Sequence, residues 1–214
     1  MSLLNDEVKG QVKEELGELK EDVTLITFTK KENCQFCNDT AQLVKEVSEV
    51  NDKIKVEVYD IDENPDKASQ YKVDKAPTII PLDKKMKDFN IRFYGIPGGY
   101  EFMSLIETIK MIGTNNSGLS EELKNEVKSI DKEVQLDVFI TLSCPYCPRS
   151  VIAAHKFAFE NDNIKSAMVE AQEFPEWANK FDVMAVPKTV INEGHSFEGA
   201  MPEDMVIQEI KKAI

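Results

Sequence analysis

Val8, Val12, Leu16 and Leu19 recur at steps of 4, 4 and 3, the spacing that keeps one apolar stripe on a helix. Leu119, Leu123, Val127 and Ile130 repeat those steps 111 residues later. Each helix pattern is followed by a run with strand character, VTLITF from Val23 and VQLDVFI from Val134. The register continues far downstream: Pro65, Ala68, Tyr71, Val73 and Pro77 match Pro175, Ala178, Phe181, Val183 and Pro187 at an offset of 110. One architectural unit has therefore been used twice. Each copy reads helix, strand, cysteine pair, helix, strand, short helix, proline, strand, strand, helix.

In the first copy Leu43, Val47 and Val50 point inward from the second helix, and VEVYDI from Val56 reads as a buried strand. TIIPL from Thr78 begins a hairpin, and GYEFMSLIETIKMI closes the copy with Phe102, Ile106 and Ile109 on one helical face. The stretch 113–118, GTNNSG, is the one run of turn-forming small residues near the middle, so the domain boundary is expected there, between 1–115 and 116–214. Alternating strands and helices imply parallel pairing within each copy. The final hairpins add antiparallel strands, so each copy is expected to be an α/β unit with a mixed central sheet flanked by helices.

Composition narrows the field of partners. The 214 residues include 39 acidic and 26 basic side chains, for a formal charge of -13, which repels phosphate backbones and anionic lipid surfaces. Nucleic acid and membranes are poor candidate partners. The opening MSLLNDEVKGQVKEELGEL lacks the apolar core of a secretion signal, and the chain is read as cytoplasmic.

All four cysteines fall in two CxxC pairs, Cys34-Gln35-Phe36-Cys37 and Cys144-Pro145-Tyr146-Cys147, at the same offset of 110. In a reducing compartment such pairs are more often catalytic or metal-binding than structural. Each first cysteine is followed by a proline 43 residues on, at Ala76-Pro77 and Val186-Pro187. CxxC opening a helix, with IDENPDKASQYKVDKAPT beyond it, resembles a thioredoxin-fold domain, and CPYC is the signature of glutaredoxins. Two such units in tandem resemble the two-domain protein disulfide oxidoreductases, also called glutaredoxin-like proteins. The resemblance spans nearly the whole chain and implies two tandem thioredoxin-like domains that exchange disulfides with protein substrates.

The chemistry of the pairs agrees with that reading. Side chains three apart on a helix lie roughly 5–6 Å apart, which suits a disulfide and lets dithiol and disulfide interconvert with little backbone movement. At a helix N-terminus, unpaired N–H groups and the dipole favour thiolate over thiol, making Cys34 and Cys144 the nucleophiles. The dipole alone supplies about 0.3–1 kcal/mol, less than one pKa unit, so local hydrogen bonds must do the rest. Cys37 and Cys147, less exposed on the first turn, would resolve the mixed disulfide.

With Cys144 near the N-cap, Pro145 falls at the first helical position and Pro148 within the first four, where missing N–H groups cost nothing. These prolines either initiate the helix or also stiffen the redox turn. Gln35 and Phe36 impose no such constraint, so the two sites should differ in potential. Phe36 and Tyr146 are expected to be exposed towards substrate.

In the resembled family the proline matching Pro77 and Pro187 is cis, packs against the CxxC, and leaves the preceding residue's backbone to bind an extended peptide. Ala76, Pro77, Val186 and Pro187 are thereby implied as substrate-binding residues. An X-Pro bond is otherwise cis only about 5–6% of the time, so this expectation rests on the resemblance; the alternative is a trans proline starting an edge strand. One departure stands out. Thioredoxins carry a buried acid on the strand before CxxC, whereas the matching positions here are Phe28 and Val138. A proton acceptor must come from elsewhere, with Glu32 and Asp137 as candidates.

His155, His195, Trp177 and Tyr71 read as structural or solvated, and Lys188 as an outward lysine. No cofactor is expected beyond the redox-active disulfides, and no metal. Three rival readings remain. Four thiolates could make an all-cysteine zinc module, but 106 residues separate Cys37 from Cys144, far beyond the usual spacing of about 15–20. A peptide-binding chaperone would use the proline grooves without turnover. An electron relay would resemble the N-terminal domain of the alkyl hydroperoxide reductase flavoprotein, which passes electrons to a peroxiredoxin. By resemblance, a separate flavoprotein of the thioredoxin reductase type is the expected electron donor.

Overall fold

The structure is a computed structural model and describes residues 2–214. The first half contains α1 (Asp6–Glu15), β1 (Val23–Thr29), α2 (Cys37–Ser48), β2 (Ile54–Asp60), α3 (Pro65–Tyr71), β3 (Thr78–Asp83), β4 (Ile91–Tyr94) and α4 (Phe102–Thr114). A 3₁₀ turn, Gly99–Glu101, leads into α4. The second half repeats the series as α5 (Glu121–Lys128), β5 (Val134–Ile140), α6 (Cys147–Glu160), β6 (Ile164–Glu170), α7 (Pro175–Lys180), β7 (Lys188–Ile191), β8 (His195–Glu198) and α8 (Glu203–Ala213). Helix starts follow local chemistry. Asn5 and Ser120 accept the orphan N–H groups of Val8 and Leu123, and Pro65 and Pro175 occupy the first turns of α3 and α7.

Each half builds the expected mixed sheet. β1 pairs β2 in parallel and β3 antiparallel, and β5 pairs β6 in parallel and β7 antiparallel. The two sheets are then joined edge to edge: β4 pairs β6 in parallel, Ile91 opposite Ser166 through Tyr94 opposite Val169. The result is one eight-stranded sheet ordered β2-β1-β3-β4-β6-β5-β7-β8. Packing reinforces this seam. Phe89 stacks on Phe159 at 4.8 Å, Phe93 meets His155 edge-on at 4.7 Å, and the Lys75 ammonium sits 4.9 Å above Trp177.

The seam corrects one expectation. β2 lies at the free edge of the sheet and is mostly solvent-facing, with Val58 46% exposed, so the run from Val56 is not a buried strand. β6, its counterpart, is flanked on both sides and is buried along nearly its full length. The turn-forming run is also shorter than its composition suggests. α4 continues through Gly113 and Thr114 and ends where Asn115 adopts a left-handed conformation, φ 52°. Gly113 lets α4 pass close to the segment that follows α1, since a Cβ there would lie 2.5 Å from Leu19.

Candidate active site

Both CxxC pairs are closed as disulfides, each with its Cα atoms 5.5 Å apart. The helices start later than expected. Cys37 and Cys147 are the first residues of α2 and α6, while Cys34 and Cys144 sit one turn ahead, in the approach to the helix. Pro145 therefore belongs to the turn between the cysteines, and Pro148 alone lies in the first helical turn. The reason is the pair itself: the Cys147 N–H points at Cys144 Sγ, 3.2 Å away, rather than at a carbonyl one turn earlier. In the first half, the Lys30 N–H reaches Cys37 Sγ at 3.1 Å.

Within each pair the second cysteine is the sheltered one. Cys37 and Cys147 are 1% and 0% exposed, whereas Cys34 is half-buried and Cys144 is 8% exposed. Among the redox-turn residues, Gln35, Pro145 and Tyr146 are exposed, Tyr146 at 71%. Phe36 departs from expectation. It is half-buried and packs against the core, because the aromatic ring of an unconstrained turn folds back onto the apolar face beside it.

Ala76-Pro77 and Val186-Pro187 are both cis, the isomer implied by the resemblance. In the second half the fold brings this loop to the cysteines, with the Val186 carbonyl 3.8 Å from Cys144 Sγ. Clefts of about 620, 340 and 570 Å³ lie along α4 and α6, over β4 and β6, and beside α2 and β2 from Asn38 onwards, and none of the three is lined by a cysteine.

The acids near the two pairs differ in burial and in the face of the sheet they occupy. Asp137 is 4% exposed, and burial pushes its carboxyl up to about 6 against a hydrogen bond from Gln135. Its strand neighbours Val138 and Ile140 share the core that contains Cys144, Cys147 and Val151 of α6. Asp137 alternates with them and lines the cleft beside Trp177, on the opposite face of the sheet. Glu32 is exposed in the loop before Cys34.

Sequence reasoning missed Glu101. The 3₁₀ turn that carries it packs against α6 and against the loop leading to Cys144. The Tyr100 N–H donates to the Leu142 carbonyl at 3.1 Å, and any Cβ on Gly99, whose φ is +55°, would collide with that same oxygen. Glu101 is fully buried there; burial pushes its carboxyl up to about 7, partly offset by the Ser104 hydroxyl donating to Oε2. Its other oxygen has no protein partner. Two signals were available: the Gly98-Gly99 dipeptide that permits close approach, and the break in the repeat that places Met205 opposite Glu101.

His155 is buried and held structurally. Burial lowers its pKa to about 3, so it stays neutral near pH 7, and its Nδ1 pairs with Thr108 Oγ1 at 3.0 Å. His195 opens β8 and pairs with Glu209 through Nε2 at 2.6 Å. Among the described residues no three His, Cys, Asp or Glu side chains converge in a group that could hold a metal ion, and no helix is long and apolar enough to cross a membrane.

A family profile described as a thioredoxin domain matches residues 134–212. The structure of a protein disulfide oxidoreductase from Aeropyrum pernix k1 is 34% identical, covers 98% of this chain and 93% of its own length, and superposes with a TM-score of 0.90. The chain belongs to the protein disulfide oxidoreductase family. As a thioredoxin-fold disulfide oxidoreductase, it carries two CxxC sites, one in each half. The NTD_N/C domain of the alkylhydroperoxide reductase AhpF from Enterococcus faecalis (V583) is 25% identical, with 97% of this chain and 99% of that chain covered at a TM-score of 0.90. Curated relatives are longer. A protein named NADH dehydrogenase from Ferdinandcohnia aciditolerans is 26% identical over 97% of this chain and 36% of its own length, so the chain spans about a third of it. The alkyl hydroperoxide reductase AhpF of Pseudomonas putida is 28% identical over 60% of this chain and 25% of its own.

Proposed function

We propose that the chain catalyses dithiol-disulfide exchange on protein substrates through both of its CxxC pairs, and that its halves, 1–115 and 116–214, each contribute one redox site. The observation that carries this reading is the gradient of exposure within two matched pairs, a first cysteine less buried than the second, which sits at a helix start. In the reductive direction, the thiolate of Cys34 or Cys144 attacks one sulfur of a substrate disulfide. A mixed disulfide forms, and one substrate thiolate leaves and takes up a proton. Cys37 or Cys147 then loses its proton and attacks the first cysteine's Sγ, which releases the second substrate thiol and closes the intramolecular disulfide. Two electrons pass to the substrate, and a reductant must return them.

The turn residues Gln35, Phe36, Pro145 and Tyr146 and the loops Ala76-Pro77 and Val186-Pro187 lie along the path of the bound polypeptide in this scheme. Glu101 is the proton acceptor for the second pair. A carboxyl with a pKa near 7 is divided between its two protonation states at neutral pH, which suits it to take the proton from a buried thiol. Asp137 has a similar value but faces the other side of the sheet, so position decides between them. The expected setting is cytoplasmic, with a flavoprotein of the thioredoxin reductase type as electron donor.

A second reading is supported by the similarity to the AhpF proteins of alkyl hydroperoxide reductases: the chain relays electrons from a flavoprotein to a peroxiredoxin. Insulin reduction by the intact chain and by a Cys34→Ser, Cys144→Ser variant tests the main reading. Turnover by the intact chain that disappears in the variant is expected. Equal activity in both sinks it, and transfer to a peroxiredoxin without insulin reduction favours the relay.

A further inference from the structure

We propose that the first half supplies specificity-determining residues to the second redox site: Tyr100 and Met103, with Tyr146 and Met184, form an apolar rim that selects disulfides flanked by apolar residues in an extended polypeptide. The inference rests on the exchange activity proposed above and names the substrate class for one of its two sites.

Four of the eight exposed large hydrophobic side chains in the described structure lie in the CxxC itself, in the loop that approaches Cys144, or on the turn and helix that pack against α6. Tyr146, 71% exposed, stands between the cysteines, and Met184, 90% exposed, lies two residues before Val186, whose carbonyl approaches Cys144 Sγ. Tyr100 and Met103, at 55% and 61%, come from the other half. The hydrogen bond from the Tyr100 N–H to Leu142 pins that turn two residues from Cys144, and Met103 follows one turn later. Leaving four such side chains in water is unfavourable unless something covers them. What covers them is the molecule that brings a disulfide, because Tyr146 stands between the two cysteines and the Tyr100 turn and the Met184 loop are both held against the segment that carries Cys144.

The first site shows that this is a property of one half rather than of the fold. At the position matching Met184 it carries Asp74, at the one matching Tyr146 the half-buried Phe36, and beside them Glu32 and Lys75 where the second site has Leu142 and Ala185. Lys30 and Lys31, just upstream of Cys34, pair with Asp62 and Glu63. Charged side chains at these positions are costly to strip of water against an apolar partner, so the first site does not share the preference.

The test uses the full chain with the first pair silenced by Cys34→Ser and Cys37→Ser, dithiothreitol as reductant, and two peptides with a fluorogenic disulfide, one flanked by Leu and Val and one by Asp. The apolar peptide is expected to have the higher kcat/KM. Adding Tyr100→Ser and Met103→Ser lowers the ratio of the two kcat/KM values about tenfold, equivalent to about 1.4 kcal/mol, through KM rather than kcat. Tyr146→Ser with Met184→Ser, on side chains too exposed to hold the fold, moves the ratio the same way if the first substitutions compromise folding. An unchanged ratio in either soluble variant, or equal losses on both peptides, overturns the proposal. Failure of the parent chain to reduce either peptide instead removes the exchange activity itself.

Discussion

The two halves share one pattern of elements, yet the same position in each has a different fate. Val58 in β2 is 46% exposed at the sheet edge, while its repeat partner Met168 in β6 is fully buried between β4 and β5. Glu101 closes the first half in a buried turn against Leu142; Met205, its counterpart in the second half, is 50% exposed. The order of the halves explains both. The first half presents β4 and its last helix to a neighbour, whereas the second half ends at a free edge. A repeat in sequence thus copies local structure but not environment, and the second redox site gains a buried acid and an apolar rim that the first cannot have.

The largest test of this asymmetry is energetic. Met168→Ala should cost about 2–5 kcal/mol in chemical denaturation, the range for emptying a packed core position. Val58→Ala, at the matched position, should stay within about 0.5 kcal/mol. Similar costs for the two would place β2 and β6 in equivalent surroundings and contradict the joined sheet.

Glu101→Gln sharpens the comparison at the chemistry. It should slow exchange by the second pair about 10- to 100-fold above pH 7, at or below the low end of a positioned acid–base group, and leave the first pair's rate unchanged. The sign follows from the raised pKa of about 7: the carboxyl holds its own proton at lower pH and accepts one only as pH rises through that value. The second pair's rate should therefore climb across neutrality in the parent and lose that step in the variant. Glu101 also carries a stability signature of the opposite sign. A carboxyl raised from 4.5 to about 7 stabilises the fold least when ionised, so stability falls as pH rises across that window and the Gln variant flattens the fall.

Legibility followed locality. The repeat offset, the order of elements, the CxxC pairs and the prolines 43 residues beyond them are written in the sequence pattern, and each appears in the structure, with the helices beginning at the second cysteine of each pair rather than the first. The burial of Glu101 is not local. In GYEFMS it looks like any solvated acid at a helix start, and only the docking of Gly99 on Leu142 takes it out of water. The edge position of β2 was equally hidden, because Val56 and Val58 are apolar whether or not a strand covers them. Phe36 folded inward for a related reason: an aromatic side chain in a flexible turn takes the nearest apolar surface.

The smallest effects concern how α2 and α6 are tied down. Glu46 on α2 is buried; burial raises its pKa, but hydrogen bonds from Gln42, Leu4, Leu3 and Ser2 overcome this and bring it down to about 2. Glu46→Ala should cost about 1–3 kcal/mol, since it leaves those donors unpaired. A lowered carboxyl contributes stability above its unfolded value near 4.5 that is lost as pH falls towards 2, so the gap between parent and variant should close in acid. Its repeat partner on α6, Lys156, forms a partly exposed pair with Glu203, and Lys156→Ala should cost under about 1 kcal/mol.

Redox titration tests the inequality of the two sites most directly. Two variants, one retaining only Cys34 and Cys37 and one retaining only Cys144 and Cys147, are equilibrated against reduced and oxidised glutathione, with free thiols counted by alkylation. Reversible closure of both pairs at different midpoints is the expected result. Failure of either pair to close and reopen, or a single shared midpoint, contradicts the claim that two unequal redox sites operate in this chain.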